Sequence, residues 1–235
     1  MIGFSATPAP PMDAKSPTSS RPECEPVIPS RQRKRFEELR CEFFATAGAG
    51  ANSQWRQEEG FPTDALLRNS RSADLVISGT GRTDPDRYVD AARLVCGAGR
   101  PVLFVGADAH FRHPETALVG WKDSPEARRA LAFALPFLRL ARRVIVATVT
   151  DADRPRLAES LNDVIRYLNR HDIGASALLL QNRSGPQALV DAVAQMGVDL
   201  VVAGANAQSR THNRTFGGFT RALLQQHSLT RLMAG

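Results

Sequence analysis

The chain has 235 residues, of which 43% are hydrophobic, enough for a proper core in one large domain or two smaller ones, so a disordered protein is excluded. A formal charge of +6 and a pI near 9.9 favour anionic partners. No apolar run approaches the length of a membrane span and the N-terminus has no leader pattern, while Cys24, Cys41 and Cys96 are too scattered for a disulfide framework or a zinc site, so a cytoplasmic location is expected.

Residues Met1 to Ser30 are rich in Pro, Ser and Ala and read as a disordered tail. Phe36, Leu39, Phe43 and Phe44 then recur at helical spacing behind the basic cluster Arg31 to Arg35, which is weak as a nucleic-acid signal. A short strand at Ser53 to Arg56 is followed by a helix opened by Pro62. Strands at Ala73 to Gly79 and Pro101 to Val105 enclose a helix from Tyr88 to Cys96, which Gly97 and Gly99 end, and Gly106 to Glu115 reads as a linker.

A second unit opens at Thr116 to Trp121. Pro125 starts a long helix with Ala127, Ala130, Leu131, Ala134, Leu135 and Leu138 on one face. Strands at Val144 to Val149, Ala175 to Leu180 and Leu200 to Ala203 alternate with helices at Leu157 to His171 and Pro186 to Met196. This alternation predicts an α/β fold with an open parallel sheet between helices. A polar loop then carries Ser209, Arg210, His212 and Arg214 to the pair Gly217 and Gly218, behind which a helix and a final strand, Leu229 to Ala234, close the chain.

The chain contains an internal repeat. Ala73-Asp-Leu-Val-Ile-Ser-Gly79 matches Val198-Asp-Leu-Val-Val-Ala-Gly204, and both are preceded by a Pro-led helix. Asp74 and Asp199, both ahead of a strand, read as structural. The second copy has the longer connection after its glycine, where the polar loop lies, and the first has acidic Asp84 and Asp86 there. The domain division expected is a tail over 1–30, an incomplete first unit over 31–113 and a complete second unit over 114–235.

The glycine-rich loop feeding a helix can hold an anion, because the first N–H groups of a helix lack internal partners and the helix dipole adds positive charge there. No acidic residue follows Asp199, so Arg210, Arg214, Arg221 and Arg231 make this end basic, which reads equally as an anion site or a solvated helix face. No HExxH pair and no G-x-S-x-G elbow occurs, and no general base for hydrolysis is evident; His110 and His113 fall in the linker. No catalytic residue and no metal ligand is assigned.

Val119-Gly-Trp-Lys-Asp-Ser-Pro-Glu-Ala127, the Asp-Leu-Val-Val-Ala-Gly ending at Gly204, and Phe216-Gly-Gly-Phe-Thr-Arg221 jointly resemble the universal stress protein family in its tandem form. The resemblance implies a five-stranded parallel, Rossmann-like unit plus a partial copy that lacks its first two strands, supplied by another chain or missing through a lost or misassigned gene start. It also implies a stress-response binding module that takes ATP, with Mg²⁺, or another adenine nucleotide through the second unit. The implied site places Gly204, Ala207 and Gly217 at the loop's three glycine positions and Gly218 at the hydroxyl position, with Ser209, Arg210, Phe219 and Thr220 beside them. Lys122 stands where the family has an acidic residue, with Asp123 and Ser124 next. Ala207 penalises close backbone approach to a phosphate, and Gly218 removes a donor. The alternative is a regulatory or interaction protein that holds no nucleotide. Its last strand would pair either with another copy, giving a dimer, or with Pro101 to Val105, giving an intramolecular pseudo-dimer. Slow ATP hydrolysis is the most enzymatic activity expected; membrane and nucleic acid are not expected partners.

Overall fold

The computed structural model describes residues 1–7, 30–50, 52–79, 89–106, 113–150, 155–181, 187–205, 207–210 and 213–235. The expectations for Cys24, Asp84, Asp86, His110 and His212 lie outside these residues. The described chain divides into two compact units, Met1–Asn69 with Arg82–Val89, and Ser70–Gly81 with Asp90–Gly235. No helix among the described residues is long and apolar enough to cross a membrane.

In the first unit, β1 (Ile2–Thr7) pairs in parallel with β2 (Gln54–Glu59), from Ile2 opposite Gln54 to Thr7 opposite Glu59. The helices α1 (Ser30–Ala47) and α2 (Pro62–Asn69) pack on this ribbon. Gly3 lets α1 close on it: a Cβ there would lie 2.7 Å from atoms of Phe43 on α1 and of Trp55 on β2. Arg68 donates to Glu58 at 2.8 Å and holds its carboxyl below the usual carboxylate range. The small contribution of this exposed pair is therefore present above the ordinary carboxylate pKa and is lost as pH falls through the depressed one.

Two expectations are corrected here. The composition of Met1 to Ser30 predicts a tail, yet Ile2–Thr7 is a strand, because a parallel neighbour supplies its hydrogen bonds. The first copy was also expected to lack two strands. β1, α1, β2 and α2 instead reproduce the order of the second to third strands of the complete unit, leaving one strand and its helix without a counterpart among the described residues.

The second unit is built on a seven-stranded sheet. It comprises β3 (Val76–Gly79), β4 (Val102–Val105), β5 (Thr116–Gly120), β6 (Arg143–Thr150), β7 (Ala175–Gln181), β8 (Leu200–Gly204) and β11 (Thr230–Ala234). The spatial order is β3-β4-β11-β8-β5-β6-β7. Every neighbouring pair is parallel except β4 and β11, which run antiparallel with Leu232 opposite Leu103. The last strand thus pairs with the first copy inside one chain.

Both faces of the central strands are covered, which is why they read as continuous apolar runs. Ala117, Val119, Leu200, Val202 and Leu232 join the face of α4 (Pro125–Leu138) and α5 (Pro155–Asn169). The opposite face lies under α6 (Gln187–Gln195) and α7 (Gly218–Gln225), while α3 (Ala91–Gly97) packs on β11. Gly97 closes α3 from within, and Gly99 takes the left-handed turn at φ +59° that suits glycine. Asp199 is structural as expected: its carboxylate accepts from the Glu115 and Thr116 N–H groups at 2.8 and 3.1 Å and anchors the start of β5.

Arg231 is the most buried cation described, 1% exposed. Its Nη1 donates to the Leu229 carbonyl at 3.1 Å, its guanidinium lies 4.8 Å from the Phe104 ring centre, and its Nε finds no partner among the described residues. Burial pulls its pKa down to about 10. The folded chain therefore binds this proton less well than the unfolded one, and the resulting penalty at neutral pH is relieved only as pH rises through that value. Arg231→Met should raise folding stability by about 1 kcal/mol at pH 7, measured by urea unfolding, because it removes a desolvated charge and keeps most of the volume.

Candidate functional site

Open α/β sheets bind ligands beyond the carboxyl ends of the strands, where the chain reverses direction across the sheet. Here that point lies between β5 and β8, the adjacent strands from which crossovers leave toward opposite faces. Three segments converge on it: the turn after Gly120, the end of β8 at Gly204, and the start of α7 at Gly217.

The turn after β5 is held by its own caps. Trp121 N–H donates to Ala147 O at 2.7 Å, and Ser124 caps α4 by accepting from Ala127 N–H at 3.3 Å ahead of Pro125. Ser124 is therefore occupied as a helix cap. Lys122 is exposed. Asp123 is exposed too, and its Oδ1 accepts from Nε of Arg128 at 3.1 Å, one turn along α4.

Gly204 approaches the protein's own backbone. A Cβ there would run into Ala127 N and stand 2.7 Å from the Glu126 carbonyl carbon. Its carbonyl accepts from Thr220 Oγ1 at 3.3 Å, which ties β8 to the first turn of α7. Phe219 turns toward β5 instead. A Cβ on Gly120 would lie 2.5 Å from Phe219 Cε1 and 3.5 Å from Leu189. The Phe219 ring thus fills the space beside the end of β5 on the α6 and α7 side, and Gly120 is the residue that lets it in. Sequence reasoning passed over Gly120, since a strand-end glycine says nothing of which ring will cover it.

The polar loop is where the structure departs from expectation. Ala207–Arg210 and Asn213–Phe216 form an antiparallel strand pair, β9 and β10, with Ala207 opposite Phe216 and Ser209 opposite Arg214. Ala207, Ser209 and Arg210 therefore belong to a strand pair, whereas a phosphate cradle needs a bare loop whose N–H groups converge. Apart from Ala207 and Phe216 both strands are polar, so no hydrophobic alternation announces this pairing in the sequence. Gly217 occupies the N-cap of α7 without a side-chain cap, so the N–H groups of Gly218 and its neighbours remain the polar feature of this end.

A separate cavity of about 660 Å³ opens in the second unit between α4 and α5, walled by Trp121, Leu131, Val164 and Tyr167, with Asp123, Arg128 and Glu159 among the polar residues. Trp121 is fixed there by Nε1 donating to Ser160 Oγ at 3.0 Å. Of the sequence-derived site residues this cavity receives only Asp123. Its α5 wall carried no motif that could have announced it.

No family model matches the sequence, and no curated protein does. Solved structures do match. A universal stress protein from Archaeoglobus fulgidus DSM 4304 superposes with a TM-score of 0.67, covering 88% of this chain and 83% of that one at 12% identity. A putative universal stress protein from Pseudomonas aeruginosa UCBPP-PA14 gives 0.61, with 99% and 92% covered at 11% identity. A universal stress protein in complex with cAMP matches 52% of this chain and 98% of its own at 20% identity, with a TM-score of 0.42. At such identities the likeness is one of fold: the chain has the universal stress protein fold, an α/β architecture with a mostly parallel sheet flanked by helices.

Proposed function

We propose that the chain is a stress-response regulatory or interaction module, in which pairing of β11 with β4 makes an intramolecular pseudo-dimer and the second unit holds no nucleotide. The stress role is an analogy from fold. The observation carrying the ligand reading is the Phe219 ring beside Gly120, which takes space a nucleotide would need at the strand reversal. The exposed Lys122 and the pairing of Asp123 with Arg128 support the same reading, since neither leaves a free carboxylate facing the crevice.

The second reading is an adenine-nucleotide module using ATP and Mg²⁺ in this unit, favoured by the uncapped start of α7 and the basic residues Arg210, Arg214 and Arg221. Calorimetric titration with ATP and Mg²⁺ separates the two. The parent chain is expected to show no saturation up to about 1 mM, an affinity no better than about −4 kcal/mol. Phe219→Ala is expected to gain measurable binding. Micromolar ATP binding by the parent chain would establish the second reading.

A further inference from the structure

The internal repeat provides a second use for β3. Counting from the aligned aspartates, Ile77 corresponds to Val202 and Gly79 to Gly204. In the second copy both positions are covered. Val202 is 0% exposed within the core under α4, β8 is paired in parallel with β5, and Gly204 lies against the backbone of Glu126 and Ala127. In the first copy the same positions are open. Ile77 is 61% exposed, a Cβ on Gly79 would meet nothing within 4 Å among the described residues, and β3 is the edge of the sheet.

The two strands otherwise keep the same relation to the sheet. β3 has β4 as its parallel neighbour on one side, as β8 has β11. What β3 lacks is what Thr116–Leu138 gives β8: a parallel apolar strand, then a helix beginning directly over the glycine. That helix presents Ala127, Ala130 and Ala134, small enough at the contact for the backbones to approach, with Leu131 packed in the same core. An uncovered apolar edge is a template for strand addition, and the repeat specifies the chemistry of its occupant.

We propose that the free edge of β3 is a docking site for a strand–helix segment of another polypeptide. Its strand runs parallel to Val76–Gly79, and its small-residue helix face covers Ile77 and Gly79. There it would repeat on β3 the contacts that Thr116–Leu138 makes with β8. The proposal rests on the interaction-module reading, yet the two fail separately: ATP titration addresses the crevice between β5 and β8, and strand docking addresses β3.

The test uses the full chain and, as probe, a fluorescein-labelled peptide with the sequence of residues 116–138, followed by anisotropy. Saturable binding is expected. Gly79→Val should weaken it at least tenfold while leaving circular dichroism and thermal melting of the free chain unchanged, because the valine meets nothing until the helix arrives. Ile77→Asp should do the same. Leu179→Asp, on the opposite edge strand β7, should leave binding unaltered. Absence of saturation at about 0.1 mM peptide, corresponding to weaker than about −5.5 kcal/mol, would overturn the proposal. So would equal binding by Gly79→Val, or loss of binding only in Leu179→Asp. If light scattering on the chain alone gives a doubled mass that Gly79→Val abolishes, the occupant is a second copy and the partner assignment is wrong.

Discussion

Replacing Gly204 with valine is expected to lower folding stability by about 3 kcal/mol or more, whereas the same replacement at Gly79 should change it by less than about 0.5 kcal/mol. Both residues end an Asp-led apolar strand at the same place in the repeat, and neither is described with a positive φ. The difference lies entirely in what surrounds them. At Gly204 the new Cβ would enter the backbone of the first turn of α4, which cannot rotate away as a side chain could. Relief requires lifting α4 from β8, which would expose Ala127, Ala130 and Val202 to water. Gly79 has open space at the same point. Urea unfolding of the two variants checks this directly. Similar losses at both sites would show that the strand geometry itself, and not the packing of α4, requires glycine.

Leu232→Ala should cost about 3 kcal/mol and Leu232→Asp should unfold the second compact unit outright. Leu232 is 0% exposed at the centre of β11, opposite Leu103 of the first copy and Val202 of the second. Removing it leaves a cavity where the two copies join within one sheet. The loss should therefore appear as a single cooperative transition across Ser70–Gly81 and Asp90–Gly235, as for other single cores. Leu103→Ala and Leu232→Ala share this contact, so their combined cost should differ from the sum of the two. Hydrogen exchange checks the unit: amides of β4 and β8 should lose protection together in Leu232→Ala. Loss confined to β8 and β11 would show that the first copy's strands fold independently of the pairing.

Much of the architecture was legible because burial writes itself into periodicity. The run Leu200 to Ala203 reads as a strand covered on both faces, and it is; Ala127, Ala130, Leu131, Ala134, Leu135 and Leu138 read as one helix face, and all are buried on α4 except Leu135, which is half-buried. Ser124 and Pro125 announce the start of that helix through local capping chemistry. Ile2–Thr7 was not legible, since its flank is rich in Pro and Ser and its strand depends on Gln54–Glu59, distant in the chain. The pairing of Ala207–Arg210 with Asn213–Phe216 was hidden for a related reason: polar residues pair by backbone, and backbone pairing leaves no hydrophobic signature.

The site divides along the same line. The strand end at Gly204 and the helix start at Gly217 and Gly218 were legible locally, because strand ends and helix starts are short-range features. Local sequence could not determine that Phe219 would fill the space beside Gly120, that Asp123 would turn to Arg128, or that Trp121 would be fixed by Ser160 on α5. Each of these contacts depends on the direction of a side chain after the helices have packed.

By itself the sequence determined the alternation of strands and helices, the repeat, and two alternatives for the last strand. Only the tertiary structure decided between them, pairing Thr230–Ala234 with Val102–Val105 of the same chain. Only it distinguished two equivalent glycines, one against a helix and one in open space. The physical reason is common to both. Hydrophobic pattern specifies that a surface must be covered, but it is indifferent to which neighbour covers it, and that neighbour is fixed by long-range packing.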